Sequence, residues 1–465
     1  MIFYLQPLLT IIKQLFPDGY NKMNGIKFAK FLKIPRDAIW LLPGLEIKRW
    51  FLLIISGAVV AAVGVCILFG LKPIFTLTKM VIRIAQTLPL EIMGWSLIVL
   101  GLIMFITGWL KTNYSILDVN NDRNRYAVLE NLYKRRKLNH GPNIVAIGGG
   151  TGLSTMLKGI KKLTNNVTAV VTVGDDGGSS GKLREELGVL PPGDIRNCIA
   201  ALADDEDLVV KLFQYRFKEA GELSGHSFGN LFITAMCGLT GNMVGAVKES
   251  SNVLSIRGRV LPSTLDDMRL AAEMDDGTII RGESNIPESG KKIKRLFSEP
   301  NDCKPLEDVI RAINEADLII LGPGSLYTSV IPNLLIKDIA KAVNNAKAKK
   351  IYVCNIMTQP GETDGFSVSD HIKTLINHAK YDKIIDAVLV NTDLPKELLA
   401  PYKDAGSVPV IVDKDEILKM GIEIVQKNLV EDKRYEDGHS SFVRHSPMRL
   451  ARTIYYWYKK NQKKK

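Results

Sequence analysis

Between Gly174 and Asn197 the chain reads GDDGGSSGKLREELGVLPPGDIRN, which concentrates glycines, paired carboxylates, hydroxyls and cations in one loop region. This is the chemistry that a phosphate-bearing ligand demands. Glycines accept left-handed backbone conformations and let successive N–H groups converge on an anion, while Ser179, Ser180, Lys182 and Arg184 supply hydrogen bonds and charge. A second cluster, IGGGTGLS from Ile147 to Ser154, follows the apolar run Asn143 to Ile147 and precedes a helical pattern reaching Leu163. Strand, tight turn and helix in that order present free N–H groups and the positive end of a helix dipole to a phosphate. A further strand, Val167 to Val173, ends at Asp175 and Asp176, roughly the ~20-residue distance at which a dinucleotide fold sets an acid on ribose hydroxyls. A strict GxGxxG is absent, so the spacing by itself does not identify a cofactor.

These loops need a scaffold. Apolar runs at Asp317 to Leu321, Lys350 to Met357, Ala387 to Val390 and Val408 to Val412 alternate with helical segments. Such alternation predicts an α/β, doubly wound, mainly parallel sheet. Residues 252–300 break into short runs, VLSIRGRVLP, GTIIRGES and KKIKRLF, which predict a small β-rich antiparallel insertion. In open parallel sheets ligands bind beyond the carboxyl ends of the strands. The loops expected there are GGGTG, GDDGGSS, GPGSLYTS, TQPGETDGFS and NTD, all rich in glycine, hydroxyls or acids. Five such ends predict one convergent pocket.

The formal charge of +12 divides unevenly: residues 1–140 carry an excess of eleven positive charges and the rest an excess of one. The tail Lys459 to Lys465 alone holds +5, so the globular part is slightly acidic, which argues against a nucleic-acid partner. The excess fits a membrane anchor instead. Trp50 to Leu71 and Ile92 to Leu110 are uncharged and close to the ~20 apolar residues that a spanning helix needs. Flanking Lys and Arg orient both ends of this hairpin toward the cytoplasm, giving a two-pass protein of the bacterial cytoplasmic membrane. The organisation expected is an interfacial segment 1–49, two spans (50–71 and 92–110) within 50–111, a basic linker 112–141, an α/β domain 142–452 and a basic tail 453–465. The run Lys134 to Lys137 is placed to meet anionic lipid headgroups of the inner membrane. Five cysteines, none in a CxxC pair or at ligand spacing with histidine, predict free thiols and no zinc site.

IGGGTGLS, VGDDGGSSGKLREELGVLPPGDIRNC, GHSFGNL, VLSIRGRVLP, MDDGTIIRGES, GPGSLYTSVIPNLL and NIMTQPGETDGFS closely resemble the YvcK-like gluconeogenesis factors of bacteria. That family is distantly related to the 2-phospho-L-lactate transferase CofD. The resemblance covers about Pro142 to Arg452. It implies a Rossmann-like α/β domain that binds a UDP-sugar, such as UDP-N-acetylglucosamine, or a dinucleotide, and it implies a role in cell shape and wall synthesis during gluconeogenic growth. Carried onto this chain, it makes Gly149, Gly150, Thr151 and Gly152 the pocket floor. Asp175, Asp176, Ser179 and Ser180 form a second wall, and Asp194 and Asn197 reach in from the Pro191 to Gly193 turn. Asn230, Gly324, Ser325, Leu326 and Tyr327 hold the nucleotide, and Arg257 or Arg259 clamps a diphosphate, as guanidinium geometry suits. On residue type alone, Asp194 serves equally as a helix cap, Tyr327 as core packing and His226 as a structural hydrogen-bonder. Two classes of function stay open. One is a nucleotide-sugar sensor that acts on wall-synthesis proteins, in an oligomeric state open to self-association. The other is a metal-dependent transferase of a phosphoryl-linked group, in which Asp175 and Asp176 hold Mg²⁺ with phosphate oxygens.

Overall fold

The computed structural model describes residues 137–204, 207–218, 221–393, 406–430 and 445–462, with scattered helical positions between 56 and 107. The chain divides between Arg136 and Lys137. Segments 1–49 and 112–136 lie outside the described residues, as does most of the expected spans 50–71 and 92–110. Positions described inside those spans (Val60, Ile92, Trp95, Ile98, Val99, Leu100 and Ile103) are helical and more than half exposed. Among the described residues no single helix is long and apolar enough to cross a membrane.

From Lys137 onward the chain builds a sheet between two helical layers. Strand β1 (Ile144–Gly148) leads through α1 (Gly150–Ile160) to β2 (Val167–Val171). Five helices follow: α2 (Gly178–Leu187), α3 (Gly193–Leu202), α4 (Asp207–Gln214), α5 (Phe228–Thr240) and α6 (Met243–Val253). Strand β3 (Arg259–Pro262) then pairs with β2, and β4 (Arg269–Met274), β5 (Ile279–Arg281) and β6 (Ile293–Glu299) form a separate antiparallel sheet in the order β5-β4-β6. After α7 (Glu307–Asn314) come β7 (Leu318–Leu321), a π-helical turn Leu326–Val330, α8 (Ile331–Leu335), α9 (Lys337–Asn345) and β8 (Lys349–Val353). The chain finishes with α10 (Val368–Ala379), β9 (Ala387–Asn391), α11 (Lys414–Lys419), β10 (Glu423–Lys427) and α12 (Pro447–Gln462).

The main sheet runs β10-β9-β8-β7-β1-β2-β3, and every neighbouring pair is parallel. Central strands read as continuous apolar runs, IVAIG, VTAVV and LIIL, because helices cover both faces. Alternate residues divide between two cores: Val145, Ile147, Ile319 and Leu321 face one, and Ile144, Ala146, Leu318 and Ile320 face the other. The chain winds outward from β1 through β2 to β3, then returns to place β7 on the opposite side of β1. That reversal opens a crevice at the carboxyl ends of β1 and β7, the position at which open α/β sheets bind ligands.

Two strand expectations change. The run VLSIRGRVLP contributes β3 to the main sheet, so the antiparallel part is confined to β4, β5 and β6. Val408 to Val412 pairs with neighbouring segments as the isolated bridges Met357 to Pro409 and Ser367 to Ile411 rather than as a strand. Pro409 lacks the N–H a ladder needs, and the edge strand is Glu423–Lys427 instead. The start of the supposed tail is also folded, since Ile454, Trp457 and Tyr458 of α12 are buried.

Helices α1 and α12 meet at Gly159, where a Cβ would lie 2.0 Å from the Pro447 carbonyl oxygen and 2.8 Å from the Ala451 methyl. Helix propensity alone favours alanine over glycine by ~1 kcal/mol, whereas forcing two packed helices apart costs ~1–3 kcal/mol. Gly159→Ala is therefore predicted to lower the urea midpoint followed by circular dichroism; a raised midpoint would contradict this contact.

Candidate functional site

The crevice beside β1 is a pocket of about 640 Å³, within the ~300–1,000 Å³ range of small-molecule sites. Its floor is the turn Gly149 to Gly152, and its walls come from Pro323 to Ser325, Asn355 to Pro360 and Glu362, with Ser407 and His445 above. The N-terminus of α1 points into it; its N-cap Gly149 offers no side chain and its first turn holds no acidic residue, but the Asp194 carboxylate accepts from the Gly150 N–H, so the N–H groups beyond Gly150 are the ones left for an anion. Gly152 fits because its neighbour is backbone: a Cβ would stand 2.6 Å from the Pro323 oxygen and 2.8 Å from the Gly324 nitrogen. The loops after β1 and β7 are thus in direct contact. On the far wall Glu362 is buried, accepts a hydrogen bond from Ser325 Oγ, and is pushed above the usual carboxylate range by burial. His445 is buried with Nε2 unpartnered, and burial lowers it to about 4, so its ring is neutral at physiological pH.

A second recess of about 300 Å³ adjoins the first and is lined by Asp175, Gly177 to Ser180, Gly193, Asp194, Arg196, Asn197, Arg216 and Asn230. Asn230 Nδ2 donates to Ser179 Oγ at 3.0 Å, and Ser179 Oγ lies 3.0 Å from His226 Nδ1. The His226 ring thereby fixes a hydroxyl in the recess wall. Asp194 separates the two cavities. A Cβ on Gly149 would lie 2.4 Å from Asp194 Oδ2, which is why the residue after β1 is glycine.

Carboxylates crowd this boundary. Burial first, and the neighbouring Asp175 second, raise Asp194 to about 7. The same two causes in the same order raise Glu283, which follows β5, to about 7. Asp176 is occupied with backbone instead. Its Oδ2 accepts from the Glu283 N–H at 2.8 Å, and its Oδ1 accepts from the Ser284 N–H at 3.0 Å and from Ser284 Oγ. These bonds pin the antiparallel insertion to the loop after β2 and carry Glu283 toward the site. Arg184 does the same lower down, donating from Nε to Asp267 at 2.8 Å and from Nη2 to the Met268 carbonyl at 2.7 Å.

Of the residues the sequence singles out, Gly149 to Gly152, Gly324 and Ser325 line the large pocket, and Asp175, Ser179, Ser180, Asp194, Asn197 and Asn230 line the recess. The structure does not bring the others in. Arg257 pairs with Asp204, and Arg259 donates to Thr168 Oγ1 at 3.2 Å. Both lie at the start of β3, and because β3 runs parallel to β2 its beginning sits at the amino ends of the strands, away from the crevice. Leu326 and Tyr327 turn into the core; Tyr327 packs edge-on against Phe366 and His378. Asp176 has its oxygens hydrogen-bonded to the insertion, while Asp175 alone of the pair lines the recess. Among the described residues no group of three His, Cys, Asp or Glu side chains is arranged to hold a metal. Residue type and spacing do not single out Arg196, Arg216, Glu283, Glu362 or His445. Arg196 and Glu283 lie within the motifs GDIRN and IIRGES, but only the fold shows that Arg196 lines the recess and that Glu283 lies beside Asp175.

The sequence model of the family 2-phospho-L-lactate transferase CofD matches residues 144–430. The chain belongs to the CofD family. Within it, this CofD-family chain is 49% identical over 311 residues to the gluconeogenesis factor of Bacillus subtilis, a match spanning 67% of this chain and 96% of that protein. A Nostoc sp. protein carrying the gluconeogenesis-factor name is 49% identical over 424 residues, 90% of this chain and 92% of its own length. The second match is longer than 137–465, so it reaches into the N-terminal residues. A crystal structure of a upf0052 family member from Bacillus halodurans superposes with a TM-score of 0.64 at 44% identity, covering 68% of this chain and 99% of that one.

The raised Asp194 has a signed consequence for stability. Its folded value of about 7 lies above its unfolded one, so the folded state holds a proton that the unfolded state releases, and stability falls as pH rises from about 4 to about 7. Asp194→Asn removes this penalty. Relative to wild type, its stability is predicted to improve by about 2 kcal/mol between pH 5 and pH 8, read from urea unfolding at the two values. A pH-independent difference would contradict the assignment.

Proposed function

We propose that this chain binds a nucleotide sugar of the UDP-N-acetylglucosamine type and acts as a regulatory protein in cell-shape and wall synthesis during gluconeogenic growth. The observation that carries the reading is the large pocket at the β1/β7 crevice, where the N-terminus of α1, beyond the Gly150 N–H that Asp194 holds, faces a cavity of nucleotide size. The pyrophosphate would lie against the Gly149 to Gly152 turn. Asn355, Thr358, Gln359 and Glu362 would read hydroxyls and amides, since all four combine donors or acceptors with a pocket wall. Membrane lipids as a partner of residues 1–136, a two-pass location in the cytoplasmic membrane with the α/β domain in the cytoplasm, and contacts with wall-synthesis proteins belong to the same proposal. The apolar runs 50–71 and 92–110 and their flanking cations support them.

A second reading, transfer of a phosphoryl-linked group, is favoured by one observation. Asp194 and Glu283, both raised to about 7, each lie close enough to Asp175 to feel its charge, and Asp194 lines the recess. A carboxyl near that value holds or accepts a proton at neutral pH, as a general acid or base must.

Residues 137–465 suffice for the first test, because the Bacillus subtilis relative consists almost wholly of the matching part. Calorimetric titration with UDP-N-acetylglucosamine is predicted to show binding independent of Mg²⁺, with the ligand recovered intact by mass spectrometry. Gly152→Ala is predicted to weaken it at least about tenfold, since the new methyl meets Pro323 backbone. Mg²⁺-dependent binding with a cleaved ligand would replace the sensor by the transferase. Deleting residues 1–136 is predicted to leave affinity unchanged and to abolish rescue of cell shape; undiminished rescue would refute the membrane role.

A further inference from the structure

The smaller recess has its own means of holding an anion. Helix α2 starts after Gly177, and its first helical hydrogen bond runs from the Gly181 N–H to the Gly177 carbonyl at 3.1 Å, leaving the N–H groups of Gly178, Ser179 and Ser180 ahead of it. Its N-cap Gly177 has no side chain and its first turn holds no acidic residue, while Asp175 Oδ1 accepts from the Gly177 N–H just ahead of it at 3.0 Å. Arg196, only 7% exposed, lines the same recess. It donates to Ser227 Oγ and to Asn197 Oδ1, yet its buried Nε has no partner. Arg216 lines the recess as well, with one Nη1 donating to the Gly225 carbonyl at 3.0 Å. Burial, and then the charge of Arg216, pull the Arg196 guanidinium below the usual arginine range. Two cations set beside a helix start, one of them buried with a donor unused, is an arrangement that a bound dianion relieves.

We propose that this recess is a second ligand site, separate from the nucleotide pocket, and that it takes a small phosphomonoester carrying hydroxyl groups. The phosphate lies between the start of α2 and the guanidinium groups of Arg196 and Arg216. The hydroxyls meet Asp175 and Asp194, which accept hydrogen bonds and repel a second phosphate, so a diphosphate does not fit. A volume of about 300 Å³ is less than half that of the neighbouring pocket and leaves no room for a nucleotide as well. Asp194, standing between the cavities, would sense both occupants. This site goes beyond the nucleotide-sugar reading and does not depend on it, because its ligand can be titrated without any nucleotide.

The full chain is titrated with glycerol 3-phosphate, inorganic phosphate and glycerol at constant ionic strength, by calorimetry and thermal shift, with and without saturating UDP-N-acetylglucosamine. Glycerol 3-phosphate is expected to bind more tightly than phosphate, glycerol not at all, and the nucleotide sugar not to compete. Arg216→Ala, at an exposed residue, is expected to weaken the phosphomonoester about tenfold. Gly178 offers a second variant: it is exposed, has a φ of +48° and has open space around a Cβ, and Asp and Asn tolerate that conformation. Gly178→Asp places a carboxylate at the helix start and is expected to abolish phosphomonoester binding, while Gly178→Asn retains it. Displacement by UDP-N-acetylglucosamine, equal binding by Gly178→Asp and Gly178→Asn, or no binding of glycerol 3-phosphate to the wild-type chain would each overturn the proposal.

Discussion

The close approach of backbone to backbone at the carboxyl end of β1 is the constraint on which the site depends. Gly149 has a carboxylate oxygen where its Cβ would be, and Gly152 has the Pro323 carbonyl. With side chains at these two points, the loops after β1 and β7 could not touch and Asp194 could not stand between the cavities. The parallel sheet makes this approach possible, since it stacks every strand end on one edge and reverses its winding at β1.

Around that contact the protein accumulates unfavourable electrostatics and holds them in place with packing. Asp194 and Glu283 are partly desolvated beside Asp175, and Arg196 is desolvated beside Arg216. Such groups raise the energy of the ligand-free fold, and the compensation comes from two continuous cores on either side of the sheet. Displacing pKa values by burial and like-charge neighbours is how sites acquire groups that titrate near neutrality. The antiparallel insertion takes part through the Asp176 carboxylate, which holds the Glu283 and Ser284 backbone, so a movement of β4, β5 and β6 would reposition Glu283.

The two relatives match this chain over different lengths. The Bacillus subtilis match spans 311 residues and 96% of that protein, whereas the Nostoc sp. match spans 424 residues and so extends into the residues before Lys137.

The local elements follow from composition and periodicity. Continuous apolar runs followed directly by glycine clusters point to strands buried on both faces with turns at their ends, so the parallel sheet and its ligand-bearing edge were legible from periodicity and composition, although the run Val408 to Val412 forms only isolated bridges. Which polar residues face the cavities was set by long-range contacts. Asp175 and Asp176 are adjacent and chemically identical, yet one lines the recess and the other binds backbone amides 107 and 108 residues away. Arg259 and Arg196 are equally suited to an anion, but the direction of β3 sends the first to the far edge while the turn into α3 carries the second to the near one. Residue type and spacing fix what a side chain can do; its direction depends on contacts made across long sequence separations, and no local pattern encodes those.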